Sequence, residues 1–274
     1  MIFDRIKRLV IMEFFLFLCY NFCSIREVMP AMAIENGEWI MRGLDLNDPD
    51  CIRSWHELIC WIDEVGFLPL FKNEIDGFSA EEHTSDLYWW SGDPERDPWE
   101  WRQLIARSGQ VAYGKFFNKR AGFISRAWFP HFANWRRDGY DFDSRWDEEL
   151  ASRRQKRVMD QFALQDELYS FELKRLAGFG KEGEKNFEGT VTDLQMGGYL
   201  LIRDFRQRLN KRGRPYGWPI SVYATPEALW GGEYISSAYS VEPAHSRELI
   251  VQQVRRHFPI SEEAELNNVL GWEK

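Results

Sequence analysis

The stretch Val111-Ala-Tyr-Gly-Lys-Phe-Phe117, Asn118-Lys119, Arg120-Ala-Gly-Phe-Ile-Ser125 constrains the fold more than any other part of the chain. Aromatic and aliphatic residues fill its two ends, and the two polar residues between them suit a tight turn. This composition predicts two β-strands, over 111–117 and 120–125, that pair as a hairpin. A sheet must therefore be part of the fold.

Helices are predicted on both sides of this hairpin. The segment Asp50–Val65 carries apolar residues at helical spacing, and Gly66 stops it. A second helix begins at Asp97-Pro98, where Asp is suited to the N-cap and Pro to the first helical position, and Gly109 ends it. A short helix is predicted over Trp128–Arg136.

A second unit is predicted from residue 152 onward. Thr192-Asp-Leu-Gln195 has the pattern of a capping box, and the apolar spacing after it predicts a long helix that ends near Arg212. The segment Tyr216–Ala224 alternates as a strand does. Further helices are predicted over Ser152–Leu168, Phe171–Ala177, Pro243–His257 and Ser261–Leu270. The order helix, helix, long helix, strand ribbon is that of a winged-helix module.

The chain of 274 residues has a formal net charge of −8, which argues against indiscriminate binding to nucleic acid or anionic lipid. Two stretches depart from this average. Residues 111–137 hold six basic residues and no acidic one, and residues 203–214 hold six basic residues and a single acidic one, Asp204. Basic hairpins and basic helix faces suit the phosphates of duplex DNA. A solvated charged surface is the alternative interpretation.

Aromatic residues are abundant, with 13 Trp and 20 Phe. Seven of the Trp fall between residues 89 and 146, where they form either a bulky core or a surface on which bases stack. The four Cys have no partners at zinc-site spacing, which predicts a reducing, cytoplasmic environment without a disulfide framework. We expect Cys51 and Cys60 to be buried packing residues.

The chain divides into three predicted parts. Residues 1–36 form an uncertain N-terminal extension: the apolar run Leu9–Phe22 resembles a secretory signal but contains Glu13, so a tail or a misplaced gene start is favoured. Residues 37–150 hold the first hairpin in a winged-helix-like region. Residues 151–274 form a second winged-helix domain with a helical tail.

Motifs for metal binding or nucleophilic catalysis are not recognisable. The five His are scattered, and the acids between Glu74 and Asp86 are most simply solvated charge, although a metal site or a hydrolase is conceivable there. The Gly178–Gly183 string matches a dinucleotide fingerprint, but it follows a predicted helix instead of a strand. We therefore predict no metal and no cofactor.

Four segments resemble the AlkZ/YcaQ family of DNA glycosylases. They occur in the family's order at Glu64–Phe71, His83–Ser91, Ala121–Ser125 and Ser170–Glu227. The resemblance implies an α+β, mainly helical fold of tandem winged-helix modules with small β-hairpin wings, which cups duplex DNA. It also implies hydrolysis of the N-glycosidic bond of alkylated purines without a metal.

The catalytic motif that this resemblance implies is a glutamine, an apolar residue, and then a glutamine or aspartate, which position and activate water. Those positions fall on Pro69-Leu70-Phe71, whose side chains can do neither. A shifted site is one candidate, with Glu74 as general base, Asn73 orienting the water and Asp76 beside them. The other interpretation is that these are loop residues at the surface.

Three functions follow as hypotheses. The first is DNA binding in damage recognition or repair, by a monomer that does not engage a membrane. Its phosphate-binding candidates are Lys115, Lys119, Arg120, Arg126, Arg203, Arg206, Lys211 and Arg212. The second is a hydrolase that uses the acidic cluster around Glu74 and Asp76. The third is a non-enzymatic protein-interaction module.

Overall fold

The computed structural model describes residues 33–35, 38–259 and 261–271 of the chain. The predicted extension over residues 1–36 lies almost entirely outside these residues. Its last described part, Ala33–Glu35 (β1), pairs antiparallel with Glu38–Ile40 (β2).

The helices of the described residues alternate with strands along the chain. They are α1 Trp55–Val65, α2 Pro98–Ser108, α3 Phe129–Arg137, α4 Phe142–Asp147, α5 Arg153–Met159, α6 Ser170–Leu176, α7 Phe187–Met196, α8 Pro226–Trp230, α9 Gly232–Ile235, α10 Pro243–His257 and α11 Glu263–Leu270. Short 3₁₀ turns lie at Glu81–His83, Asp86–Tyr88, Asp160–Ala163 and Ser236–Ala238.

The main sheet is antiparallel and has six strands in the order β3-β5-β4-β7-β8-β6. Its strands are β3 Phe67–Pro69, β4 Val111–Phe117, β5 Arg120–Ser125, β6 Glu167–Tyr169, β7 Leu201–Leu209 and β8 Pro215–Ala224. Helices together with this sheet confirm the predicted α+β class.

A similar element order occurs twice in this fold, with one additional helix in the second half. The first half runs α1, β3, α2, β4, β5, and the second runs α5, β6, α6, α7, β7, β8. In each half the last two strands form a hairpin, and the first strand pairs with the last one. The two halves meet where Tyr113 of β4 lies opposite Ile202 of β7, so strands from both sides of residue 150 share one sheet.

Several local predictions are confirmed. The hairpin occupies 111–117 and 120–125, with Asn118 and Lys119 at positive φ in the turn. Asp97 caps α2 through its side chain, and Gly109 ends that helix in the left-handed conformation. These signals are confirmed because each depends on a few neighbouring residues and not on distant partners.

The long helix predicted from Thr192 to Arg212 is wrong. Helix α7 ends at Met196, and Gly198, at φ +73°, turns the chain into strand β7. Gln195 is not a capping-box partner: its amide accepts from the Lys115 backbone N–H at 3.0 Å and donates to Val191. Pairing of β7 with both β4 and β8 outweighs the helical spacing of its apolar residues.

Two smaller expectations also need correction. The helix predicted over Ser152–Leu168 stops at Met159, and Glu167–Tyr169 pairs with β8 as an edge strand. Cys51 is buried as expected, whereas Cys60 is exposed on the outer face of α1. Sequence spacing does not predict either outcome. Strand β6 depends on pairing with β8 more than 50 residues later, and the burial of a cysteine on α1 depends on which face of the helix distant elements cover.

Helix α3 is buried on nearly all sides and contains two consecutive buried arginines. Arg136 donates to the carbonyls of Phe116 and Leu270, which lie on β4 and at the end of α11. Arg137 donates to the carbonyl of Gly198 and forms an ion pair with Glu227 at 2.5 Å. These contacts tie α3 to both halves of the sheet.

Replacing Arg137 with Met should destabilise the fold strongly. The apolar side chain fills a similar volume but leaves the carbonyl of Gly198 without its donor and Glu227 without its cation. We expect a loss on the order of 3 kcal/mol in the free energy of unfolding, measured by chemical denaturation. Arg256→Met, at an exposed position, is the matched control. A loss no larger than that of the control would contradict the bracing role of Arg137.

Stability should fall as the pH is lowered through the range of an ordinary histidine. His131 lies on α3, its Nδ1 is 3.2 Å from Ser246 Oγ, and burial followed by the charge of His245 lowers its pKa. The unfolded chain therefore binds a proton that the folded chain resists, and the stability present above a pH of about 6.5 is lost below it. His131→Asn should flatten this part of the unfolding profile, whereas His56→Asn, at an exposed position, serves as control. Equal slopes in both variants would contradict the assignment of this pH dependence to His131.

Candidate nucleic-acid interface

The hairpin formed by β7 and β8 ends in a turn that its own sequence closes. The side chain of Asn210 accepts hydrogen bonds from the backbone N–H groups of Arg212 and Arg214, at 2.8 and 3.1 Å. Gly213 follows at φ +72°, a conformation that glycine adopts without steric cost. Asn210 and Arg214 also pair through their backbones, so the turn presents Lys211 and Arg212 at its apex.

Residues 208–218, called the wing tip below, are exposed throughout. Four cations lie there, Arg208, Lys211, Arg212 and Arg214, and no acidic residue occurs between Phe205 and Ala224. Within the described part of the chain, none of the four forms an ion pair. The guanidinium of Arg208 stacks 4.8 Å from the ring of Phe171 instead. The wing tip is therefore a patch of uncompensated positive charge.

Large apolar side chains accompany this charge. Leu209, Tyr216 and Trp218 are exposed to 61%, 49% and 52%. Arg208 and Tyr216 lie directly opposite each other in the hairpin register. Exposed rings beside cations are the combination by which proteins bind bases and phosphates together.

The Trp-rich region belongs to the core. Among its seven Trp, Trp89, Trp101 and Trp135 are buried, and the other four pack against the core as partly buried residues. This supports the packing interpretation for residues 89–146. The exposed Trp218 lies on the wing tip instead.

Two predicted phosphate ligands on β7 are engaged within the protein. Arg203 donates to the carbonyls of Ala106 and Arg107 at the end of α2, and it lies 3.6 Å from a carboxylate oxygen of Glu167. Arg206 pairs with the same Glu167 at 2.5 Å and with Asp204 at 2.9 Å. The charge of both arginines is largely compensated, in contrast to Lys211 and Arg212.

The candidates on the first hairpin are also held by neighbours. Lys115 Nζ lies 3.4 Å from Thr192 Oγ1, and the backbone N–H of Lys119 contacts the sulfur of Met196. Arg120 is paired with Glu74 at 3.2 Å. Arg126, beyond the end of β5, is exposed and stacks 4.6 Å from the ring of Tyr234. The structure thus places the eight candidates in different surroundings and does not gather them on one face.

The three catalytic candidates have separate partners. The amide of Asn73 is buried; it donates to the carbonyl of Phe78 at 2.6 Å and accepts from Ile75 N–H at 3.0 Å. Glu74 accepts from Arg120 and from Asn268. Asp76 is 96% exposed and pairs with Lys72. Their functional groups do not converge on a common position.

The electrostatics of Glu74 keep its carboxyl ionised. Burial acts to raise its pKa, but hydrogen bonds from Arg120 and Asn268 and the charge of Arg120 outweigh that effect, so the pKa is lowered. A carboxylate stabilised in this way is a weak base. It links the first hairpin to α11.

The positions of the implied catalytic motif are built into the core. Pro69 and Leu70 are buried, and the backbone N–H of Leu70 donates to Ala121 at 2.9 Å. Phe71 packs against Trp89 and Trp99, at 5.5 and 6.3 Å between ring centroids. The space in which a water-activating amide or carboxylate would be needed is thus filled by aromatic side chains.

Sequence reasoning did not single out Arg208, Arg214, Tyr216 and Trp218, which the structure places on the wing tip. The available signal was the Asn210–Gly213 turn between two segments of alternating residues, which is typical of a hairpin. Among the described residues no group of three or more His, Cys, Asp or Glu could hold a metal ion. In the same residues no helix has the length and apolarity required to cross a bilayer.

An α+β protein built on one antiparallel sheet, with an exposed basic hairpin, is the class that the fold and the site define. A sequence model of the family described as AlkZ related matches residues 52–271. Since this match covers well over half of the chain, the protein belongs to the AlkZ-related family, and the resemblance identified from four segments is confirmed. No curated protein matches the chain, and neither does any solved structure.

Substituting Asn73 should reduce stability, because its side chain closes the loop over residues 73–78. Asn73→Ala leaves a buried carbonyl and a buried N–H without partners, and we expect a loss of about 2 kcal/mol in the free energy of unfolding. Asp76→Ala, three residues away and exposed, should change little. Chemical denaturation of both variants provides the comparison. Unchanged stability of Asn73→Ala together with loss of a hydrolytic activity would instead indicate a catalytic role.

Proposed function

We propose that this protein binds duplex DNA through the wing tip and acts in the recognition of damaged or distorted DNA. The observation that carries the proposal is the exposed wing tip, where four cations form no ion pair with a described residue and no acid is present, on a chain of net charge −8. Cations without an ion-pair partner in the protein can replace the counterions of phosphates. Membership of the AlkZ-related family supports the choice of DNA as partner.

A winged-helix assignment of both halves is part of this proposal. The repeated order of a helix, a strand, further helices and a two-stranded hairpin supports it, as does the pairing of each first strand with its last. In this assignment α2 and α7 hold the place of recognition helices, and the hairpins β4–β5 and β7–β8 are the wings.

Packing between the halves favours contact through the second wing. Helix α2 packs on β7 of the other half, and α7 packs on β4. Most side chains of α7 are buried, so little of that helix is left to enter a major groove. The first wing is short, and its turn lies against α7 and α11. Phosphate contact by Lys211 and Arg212, supplemented by Arg208 and Arg214, is therefore favoured over the other candidates.

The proposed activity is binding, without cleavage of the N-glycosidic bond. Pro69 and Phe71 replace the water-activating groups of the motif, and Asn73 and Glu74 have partners within the protein. A base-release assay on alkylated duplex DNA tests this part. Release of a purine that is abolished by Glu74→Gln would overturn it and would support the hydrolase alternative.

Fluorescence anisotropy of a labelled duplex, with and without an abasic-site analogue, is the direct test of DNA binding. Titrations at several salt concentrations give both the affinity and its salt slope. We expect a steep salt dependence and tighter binding to the duplex with the abasic site. The absence of binding at low salt would sink the proposal and leave the protein-interaction module as the better explanation of the exposed Tyr216 and Trp218.

Removing two wing-tip charges should weaken binding to every sequence alike. Lys211→Ala combined with Arg212→Ala should reduce the slope of log K against log salt by about two, because each lost phosphate contact contributes about 0.9. Lys181→Ala combined with Arg256→Ala removes the same charge from two exposed positions outside the wing tip that form no ion pair with a described residue, and is the matched control. If both double variants lose affinity equally, the effect is one of net charge and the wing tip is not the interface.

A further inference from the structure

An open groove of about 780 Å³ lies between the two halves, away from the wing tip. Helix α1, the end of α2, the residues after β5, strand β7 and helices α8 and α9 all contribute to it. Its main lining residues are Asp63, Gly109, Arg126, Arg203, Trp230 and Tyr234. The proposed DNA-binding function leaves this groove unused.

The groove contains a carboxylate, Asp63, and a guanidinium, Arg126, that do not form an ion pair with each other. Asp63 is at the rim on α1 and forms no ion pair or hydrogen bond with another described residue. Packing against neighbouring groups removes part of its water, which raises the pKa of its carboxyl. Arg126 forms no ion pair in the described chain either, and its guanidinium lies over Tyr234. A ligand with donors for Asp63 and an anion for Arg126 would satisfy both.

Aromatic side chains line the groove and are held in place. Trp230 donates its indole N–H to the carbonyl of Gly109 at 2.9 Å and meets the ring of Phe129 edge-on at 5.3 Å. The hydroxyl of Tyr234 donates to the carbonyl of Arg126 at 3.0 Å. Rings fixed in this way form a wall on which a flat heterocycle can stack.

The floor of the groove adds a donor. The guanidinium of Arg203 lies beside Gly109, where an added Cβ would be 3.6 Å from Nη2 of Arg203 and 3.2 Å from Cδ1 of Leu229, and Arg203 belongs to the groove lining. Nη1 of Arg203 is used by the carbonyls of Ala106 and Arg107, whereas Nη2 donates no hydrogen bond to a described residue. An acceptor on a bound ring could use it.

We propose that this groove binds a guanine nucleotide, with the base between Asp63 and the aromatic wall and the phosphate on Arg126. Among the common bases, guanine presents two adjacent donors, N1–H and the 2-amino group, and a carboxylate accepts both. Adenine presents one donor beside an acceptor, which the carboxylate would repel.

The first experiment is calorimetric titration of the full chain with GMP, AMP and guanosine in the absence of DNA. We expect GMP to bind about tenfold more tightly than AMP, because the Asp63 carboxylate accepts from two donors of guanine but faces an acceptor of adenine. Failure of GMP to bind, or equal affinity for AMP, would overturn the proposal.

Substitution at Asp63 distinguishes recognition from a structural effect. Asp63→Asn replaces one acceptor by a donor, which matches the N1–H and 2-oxo pair of xanthine better than the edge of guanine. The preference should therefore change from GMP to XMP. Asp166→Asn, an exposed acid outside the groove, is the control and should leave the preference unchanged. An unaltered GMP preference in Asp63→Asn would refute the assignment of the carboxylate.

Substitution at Arg126 tests the phosphate. Arg126→Gln should weaken GMP about tenfold, the loss expected for one charge-assisted contact, and leave guanosine unchanged. Arg256→Gln is the matched control. An equal loss for GMP and guanosine would show that Arg126 supports the groove without contacting phosphate, contrary to the proposal.

The guanine could be a free nucleotide or a base displaced from DNA, and the latter source rests on the proposed DNA binding. A duplex with one unpaired guanine, used as competitor against GMP, separates the two. Displacement assigns the groove to a base in DNA, and its absence assigns the groove to the free nucleotide. The double variant at Lys211 and Arg212 should retain GMP binding, so failure of the DNA proposal remains distinguishable from failure of this one.

Discussion

Two adjacent arginines buried in one short helix are the constraint on which the rest of the structure depends. Arg136 and Arg137 cannot be stripped of water without new acceptors, and burial alone lowers the pKa of Arg136 to about 9. Their acceptors belong to different elements: the carbonyls of Phe116 and Leu270 for Arg136, and the carbonyl of Gly198 with the carboxylate of Glu227 for Arg137. These hydrogen bonds join β4, the entry to β7, α8 and the end of α11 to a single helix.

That arrangement places the two proposed binding surfaces, the wing tip and the groove, at different parts of one sheet. The halves share only the Tyr113–Ile202 pair between β4 and β7, and helices α2 and α7 pack across the junction. The groove forms where the end of α2 meets α8 and α9, so its shape depends on the contact between the two halves. The second hairpin extends beyond the rest of the sheet, so the conformation of the wing tip depends on its own turn.

Sequence patterns predicted those parts of the fold whose causes are local. The 111–125 hairpin, the Asp97 cap and the terminal helices follow from neighbouring residues. Strand β7 was not predicted, because Leu201, Ile202, Phe205 and Leu209 also have the spacing of the apolar face of a helix. Only pairing with the distant strands β4 and β8 selects the extended conformation. At the candidate site, charge counting selected Lys211 and Arg212, which the structure places at the exposed apex of the second hairpin. It could not identify Arg120 and Arg206 as compensated, since their partners Glu74 and Glu167 lie 46 and 39 residues away.

The isolation of charge on the second hairpin has a kinetic consequence. Four cations lie at the wing tip of a chain whose total is −8, so the remaining residues carry a net charge of −12. Such a molecule is a strong electric dipole. A polyanion attracts one end and repels the rest, and it therefore turns the protein during approach before any contact is made. Encounters would therefore favour the orientation in which the wing tip faces the polyanion and the acidic remainder of the surface faces away from it.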